Sequence, residues 1–226
     1  MARKGTANRE ASGSEATRER LIEAGLTLFA EHGFDSVSTR ALANAAQANQ
    51  AAIPYHFQSK EGLYMAVAER VVEIVRAGME PVLEAVQERH REGVTNLALA
   101  REDVAMIITS LLRRIISQPH RCEIGSFIMR EQMQPSAAME QLYGRMIGPL
   151  HAHLAALVAA LRGLGEDDPD VIIEVHALFG QAVVFGVHRY TLKRRLGADE
   201  LDEEHLVRIT GVVRNMVLRQ FPTSGN

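Results

Sequence analysis

Residues 16–64 read ATRERLIEAGLTLFAEHGFDSVSTRALANAAQANQAAIPYHFQSKEGLY, and this stretch decides the fold. Leu21, Ile22, Leu28 and Phe29 recur at helical spacing, and the run stops at His32-Gly33, a usual helix terminator. Ser38 is placed to cap a short second helix, Thr39–Ala45, with Leu42 and Ala43 turned inward. A tight turn follows at Ala46-Gln47-Ala48, then a short third helix over 49–57. Short helices joined by a tight turn, with small Ala43 and Ala46 at the crossing, have the spacing of a helix-turn-helix. Its second element enters the major groove and needs short polar residues at its start. Asn49 and Gln50 supply donors and acceptors for base edges or phosphates.

Working outward, residues 1–13 are small and polar, with Arg3, Lys4 and Arg9, and read as a flexible arm. Such arms can enter an adjacent minor groove. The DNA-binding domain is placed at 14–62 and a second, larger domain at 63–226. Ser59 is positioned to cap a longer helix carrying Leu63, Val67, Val71 and Ile74 on one face. Beyond it, helix breaks are expected at Pro81, Gly93, Pro119, Pro135, Gly163–Gly165 and Gly197. Two strong helices close the chain. The first opens at Asp168-Pro169, an N-cap followed by proline at the first helical position, and runs to about Arg195. The second spans roughly 202–220. No alternating strand pattern or hairpin dipeptide appears, so the class is all-α.

Bulk properties narrow the function. At 226 residues with 46% hydrophobic and 23% charged residues, the chain is long enough for a core without staples. Its formal net charge is only -3, so any DNA-binding surface must be a local patch. The lone cysteine, Cys122, precludes an intrachain disulfide and fits a cytoplasmic location; a redox switch there lacks a resolving thiol. No signal peptide and no uninterrupted apolar run long enough for a bilayer are read, so no membrane role is expected. There is no nucleophile elbow, phosphate-binding glycine loop or zinc-spaced Cys/His cluster; no enzyme, cofactor or metal is expected.

The segment resembles the N-terminal domain of TetR-type repressors. The likeness lies in Phe29-Ala30-Glu31-His32-Gly33-Phe34, in Ser38-Thr39-Arg40 before Leu42-Ala43, and in Ile53-Pro54-Tyr55-His56-Phe57 ahead of Ser59-Lys60-Glu61 and Leu63-Tyr64. Arg130-Glu131-Gln132 and Leu142-Tyr143 resemble the C-terminal domain of the CecR-like subgroup. The resemblance implies DNA contacts from Thr39 and Arg40, from Asn49, Gln50, Ala51 and Ala52 at the start of the recognition helix, and from Tyr55 and His56 near its end. Lys60 would hold a phosphate at the start of the fourth helix. Two residues depart from the pattern. Gln47 stands where many relatives have glycine, so the turn either takes a left-handed residue or changes type. Pro54 replaces a common aromatic, should delete a helical hydrogen bond and kink or end the recognition helix, and cannot donate to phosphate.

The second half carries residues suited to an adaptable, mainly apolar pocket: Phe127, Met129, Met133, Tyr143, Met146, His151 and His176. The resemblance supplies the idea of a small apolar or amphipathic effector. The closing helices are read as a homodimer bundle built on Ile172, Val175, Phe179, Val183, Val187, Leu206, Ile209, Val213 and Met216, or else as the centre of a monomer. Two recognition helices must sit roughly 34–36 Å apart on a palindrome, which favours the dimer. The resulting reading is a repressor released by ligand, with altered helix separation passed through 59–77. An activator of the same fold and a helical protein-binding adaptor are the alternatives.

Overall fold

The structure is a computed structural model; it describes residues 3–222, with side chains from residue 13 onward. The described residues contain helices and no strand. They are α1 (Arg3–His32), α2 (Thr39–Ala45), α3 (Ala52–Phe57), α4 (Lys60–Arg89), α5 (Leu97–Ser117), α6 (Arg121–Met133), α7 (Ala137–Leu142), α8 (Gly148–Arg162), α9 (Pro169–Val187), α10 (Arg189–Leu196) and α11 (Glu203–Gln220). A π-helical turn, Tyr143–Ile147, joins α7 to α8.

Local chemistry explains most boundaries. The Ser38 hydroxyl accepts from the Ala41 N–H, Asn96 from Leu99, Ser136 from Ala138, Asp168 from Asp170 and Asp202 from His205, five N-caps on side-chain oxygens. Gly33, Gly163 and Gly197 end their helices at positive φ. Pro81 does not break α4. It and Ala77, whose carbonyl loses its partner, are both exposed, so the freed oxygen is open to solvent. The first closing helix is shorter than expected: α9 stops at Val187, and His188 separates it from α10. α1 begins at Arg3, so the backbone of the expected arm is helical from there; Met1, Ala2 and the side chains through residue 12, with any minor-groove role for Arg3, Lys4 and Arg9, lie outside the described residues.

The chain forms two compact units, and they are not divided at 62/63. The first comprises Met1–Glu73 and Cys122–Tyr143; the second comprises Ile74–Arg121 and Gly144–Asn226. α6 and α7 therefore join the helix-turn-helix. In the first unit Phe29, Phe34, Phe127 and Tyr64 form an aromatic cluster, with Tyr64 edge-on to Phe29 at 4.9 Å and Phe34 at 5.1 Å and tilted on Phe127 at 5.0 Å. The second unit packs α5, α8, α9 and α11 around Val104, Ile108, Leu112, Leu154, Leu178 and Val213. α9 corrects one expectation: by length and composition it is apolar enough to cross a bilayer, and of its residues only Val171, Val175, Leu178 and Ala182 are buried. The single Gln181 and His176 do too little to lower its apolarity.

Candidate nucleic-acid interface

Three helices hold the turn. Ala46, buried, donates to the Leu42 carbonyl, while the Gln47 N–H meets the Asn44 carbonyl at 3.1 Å and the Ala48 N–H meets the Ala43 carbonyl at 2.9 Å. This is a complete Schellman termination of α2, with Gln47 as its left-handed residue at φ 49. Of the two expected alternatives, the turn takes the left-handed one. Gln47→Gly is expected to stabilise the protein by roughly 1 kcal/mol, read as a higher denaturation midpoint at unchanged slope. A lower midpoint would mean that the exposed Gln47 side chain contributes more than its strain costs. Arg20, on α1, donates from Nε to the Ala46 carbonyl at 3.0 Å and from a terminal nitrogen to the Thr17 hydroxyl. That cation clamps the turn, and nothing in its local sequence marked it.

The recognition helix starts later than expected, at Ala52 rather than 49. Asn49 folds its side-chain oxygen back onto the Ala51 N–H at 2.9 Å, an Asx turn that leads into the helix. Pro54 consequently lies in the first turn of α3, where its missing N–H would have had no helical partner; no hydrogen bond is deleted and the helix continues to Phe57. Ile53 and Phe57 are buried, which leaves Ala51 and Tyr55 outward and Ala52 and His56 half-buried. Tyr55 is 78% exposed, with the His56 ring edge-on at 4.8 Å.

Thr39, Arg40, Gln50 and Tyr55 are thereby gathered by the two short helices. Gln50 donates from Nε2 to the Thr39 hydroxyl at 3.0 Å, tying the start of the recognition segment to the start of α2. Arg40 is exposed. Lys60 departs from its expected role. Its ammonium donates to the carbonyls of Phe34 at 2.9 Å and Val37 at 3.0 Å and lies 4.1 Å over the Phe34 ring. It braces the α1–α2 loop from beneath. The positive end of α4 is instead taken by Glu61, whose carboxyl is held below the usual range by a backbone N–H, then the Ser59 hydroxyl, then Lys60.

α6 supports this unit through two adjacent side chains. Arg130 donates to the carbonyls of Ala30 at 2.9 Å and Glu31 at 2.6 Å, capping the end of α1. Glu131, 3% exposed, accepts from the Tyr64 hydroxyl at 2.5 Å and from the Ser136 N–H and hydroxyl at 3.1 and 2.9 Å.

The seven expected ligand residues are divided between the two units. Phe127 is core of the first unit; Met129, Met133 and Tyr143 belong to that unit and are exposed. Met146, His151 and His176 belong to the second, where Met146 is buried and the His151 ring stacks on Phe179 at 4.2 Å. The spacious depression of the second unit is an open groove of about 1180 Å³ between the end of α4 and α8. Val86, Val94, Ala156, Leu157 and Leu164 line it, with His90, Arg91, His153 and Glu166. His90 is fixed there by buried Asp103 at 2.8 Å, which Arg89 also engages. The dimer set needs correction too. Val175, Leu206, Ile209 and Val213 are buried within their own chain and Phe179 is half-buried, whereas Ile172, Val183, Val187 and Met216 are exposed. Among the described residues no group of three or more His, Cys, Asp or Glu is arranged to hold a metal ion.

Residues 21–67 match the family described as bacterial regulatory proteins of the tetR family, and residues 100–221 match the C-terminal domain of the HTH-type transcriptional dual regulator CecR. The chain is 33% identical to the dual regulator CecR of Shigella flexneri over 84% of each chain. It is 29% identical to the transcriptional repressor AcnR of Corynebacterium diphtheriae over 62% of this chain and 76% of that one. Its fold is shared with AibR, solved in complex with isovaleryl coenzyme A and operator DNA, at a TM-score of 0.62 and 15% identity over 88% of this chain and 97% of that one. The chain belongs to the TetR family of bacterial transcriptional regulators, with a C-terminal domain of the CecR type.

Proposed function

We propose that the protein is a cytoplasmic homodimeric repressor that binds a palindromic operator and is released by a small ligand held in its second unit. The observation that carries the DNA reading is the Gln50–Thr39 hydrogen bond beside a capped turn, with Arg40 and Tyr55 exposed on the two short helices. Asn49, Ala51, Ala52 and His56 complete the contact set; Lys60 acts by bracing the loop behind it. One six-residue recognition helix spans too few base pairs for a specific site, so two copies are needed. The second copy has a surface to meet: Ile172, Ile173, Val183 and Val187 on α9, with Val212 and Met216 on α11, are exposed apolar side chains. Pairing these helices in a four-helix bundle also accounts for the apolarity of α9 without a membrane.

The effector is proposed to enter the groove between α4 and α8, whose apolar floor, edged by Glu84, Gln87, Glu88, His90, Arg91, His153 and Glu166, suits an amphipathic molecule. AibR, of the same fold, was solved with an acyl thioester and DNA together. α4 begins a two-residue linker after the recognition helix and its last turns line the groove with Val86, Gln87 and Glu88, so a ligand that favours one placement of its far end biases the other. A second reading has specific support: the relative from Shigella is a dual regulator, so activation at some promoters is the alternative to pure repression.

Selection from a random duplex pool at physiological salt tests the proposal. An enriched inverted repeat is expected. On that site, Arg40→Ala should weaken binding and lower the salt slope by about 1 per subunit if Arg40 meets phosphate. Unchanged affinity and slope would remove Arg40 from the interface. No enrichment from folded protein would return the chain to the adaptor reading.

A further inference from the structure

The exposed stripe of α9 has a titratable group at its centre. At 100° per residue, Ile172, His176, Val183 and Val187 fall within about 60° of one another on the helix surface, and all four are exposed. Across on α8, the His151 ring lies 6.1 Å from the His176 ring and stacks flat, 6° from parallel, on Phe179. Burial first and the neighbouring His176 second push the His151 imidazole below its ordinary value.

We infer that the subunit interface proposed above is acid-labile, with His176 and its neighbour His151 as the proton-sensing pair. The inference rests on the dimer reading. A second copy is the occupant that fits, because the stripe carries apolar side chains and no ionisable group other than His176, and Gly180 at its edge allows close helix approach. Covering Ile172 and Val183 covers His176, which stands between them, and a two-fold axis brings in the partner's histidines as well. Four imidazoles then share one apolar seam. Neutral rings can be buried there; imidazolium ions cannot without a counter-charge.

Among the described residues of the surrounding helices, these charged groups are already engaged. Glu174 on α9 is engaged by Arg162 on α8. On α5, Asp103 is held by Arg89 and His90, Glu102 by Arg214, and Arg113 by Glu203; Arg101 and Arg114 donate to the Leu218 and Ile74 carbonyls. On α11, Glu204 pairs with Arg208 and Asp202 with His205. On the α10 side, Glu200 is taken by Arg189 and Lys193. Asp170 lies six residues before His176, about 9 Å along the helix. His153 is turned to its own Pro149 carbonyl.

The sign follows from linkage. Assembly that depresses a histidine's affinity for protons is fully favourable above the value the ring has in the free subunit and is lost as pH falls below it. Two symmetry-related protons give a dissociation constant that rises by up to about 100-fold per pH unit in that range.

Sedimentation of the full chain at micromolar concentration from pH 7.5 to 5.5, with helix content followed by circular dichroism, tests this. The wild type should pass from dimer to folded monomer. His176→Leu and the neutral His176→Gln should remain dimeric throughout. A dimer equally tight at both pH values overturns the inference and leaves the dimer reading intact. A monomer already at pH 7.5 overturns both. Loss of helix content in step with dissociation would make the event unfolding and also overturn the inference.

Discussion

Gly62→Ala abolishes operator binding and lowers the melting temperature by roughly 10 °C. A methyl group at residue 62 would stand 1.9 Å from the Phe57 carbonyl oxygen and 3.1 Å from its carbon. Both are backbone atoms at the end of the recognition helix, so no side-chain rotation relieves the clash. The linker cannot absorb it either. Only Gln58 and Ser59 join α3 to α4, Gln58 already sits at φ 69, and the Ser59 N–H is bonded to that same Phe57 oxygen at 2.8 Å. The helices must separate. Phe57, buried at 8% exposure, loses its seat, and Tyr55 and His56 turn with it. Overpacking of this kind costs about 1–3 kcal/mol, and a rigid backbone contact belongs at the upper end. Thermal melts and operator titration of the variant provide the check. Gly125→Ala, at a helical position with nothing within 4 Å, should leave both unchanged or raise stability slightly. If Gly62→Ala melts within about 2 °C of the wild type and still binds, the α3–α4 junction is not the rigid element described above.

The helix-turn-helix was readable because its signals are local. Ser38, the small crossing residues and the turn at Ala46-Gln47-Ala48 act within a few positions of one another, and all behave as read. The left-handed state of Gln47 was one of two outcomes permitted by a residue without glycine's freedom. Lys60 was misread because its four-carbon stem reaches back to the α1–α2 loop, residues 23 and 26 positions away. Chain pattern also cannot say which core a helix joins. Phe127 and Tyr143 look like pocket residues by type, yet 122–143 packs on the DNA-reading unit. On α9 the apolar residues cover most of the circumference. Only the packing of α5, α8 and α11 shows that Val175 faces inward while Ile172 faces out.

Glu131→Leu destabilises the first unit by about 3 kcal/mol, because it leaves the buried Tyr64 hydroxyl without an acceptor. The carboxylate takes three hydrogen bonds, one from Tyr64 at 2.5 Å and two from Ser136. Ser136 is exposed and can turn to water; Tyr64, 8% exposed and walled by Phe29, Phe34 and Phe127, cannot. The phenol registers this setting. Burial first, then the hydrogen bond and the charge of Glu131, push it well above the usual tyrosine range. A raised folded value means that its contribution is complete below about pH 10, where the unfolded phenol titrates, and is lost as pH rises beyond. In Glu131→Leu two of those causes disappear, so the slowest phenol to ionise in an alkaline absorbance titration should shift to lower pH. Tyr64→Phe keeps the aromatic cluster and removes only the hydroxyl. The double-mutant cycle isolates the pair: Tyr64→Phe should add little to Glu131→Leu, leaving a coupling of about 1.5–3 kcal/mol for a hydrogen bond to a charged group. Strict additivity would show that α6 is held to the reader unit by Arg130 capping α1 and by Phe127 packing, with Glu131 a bystander.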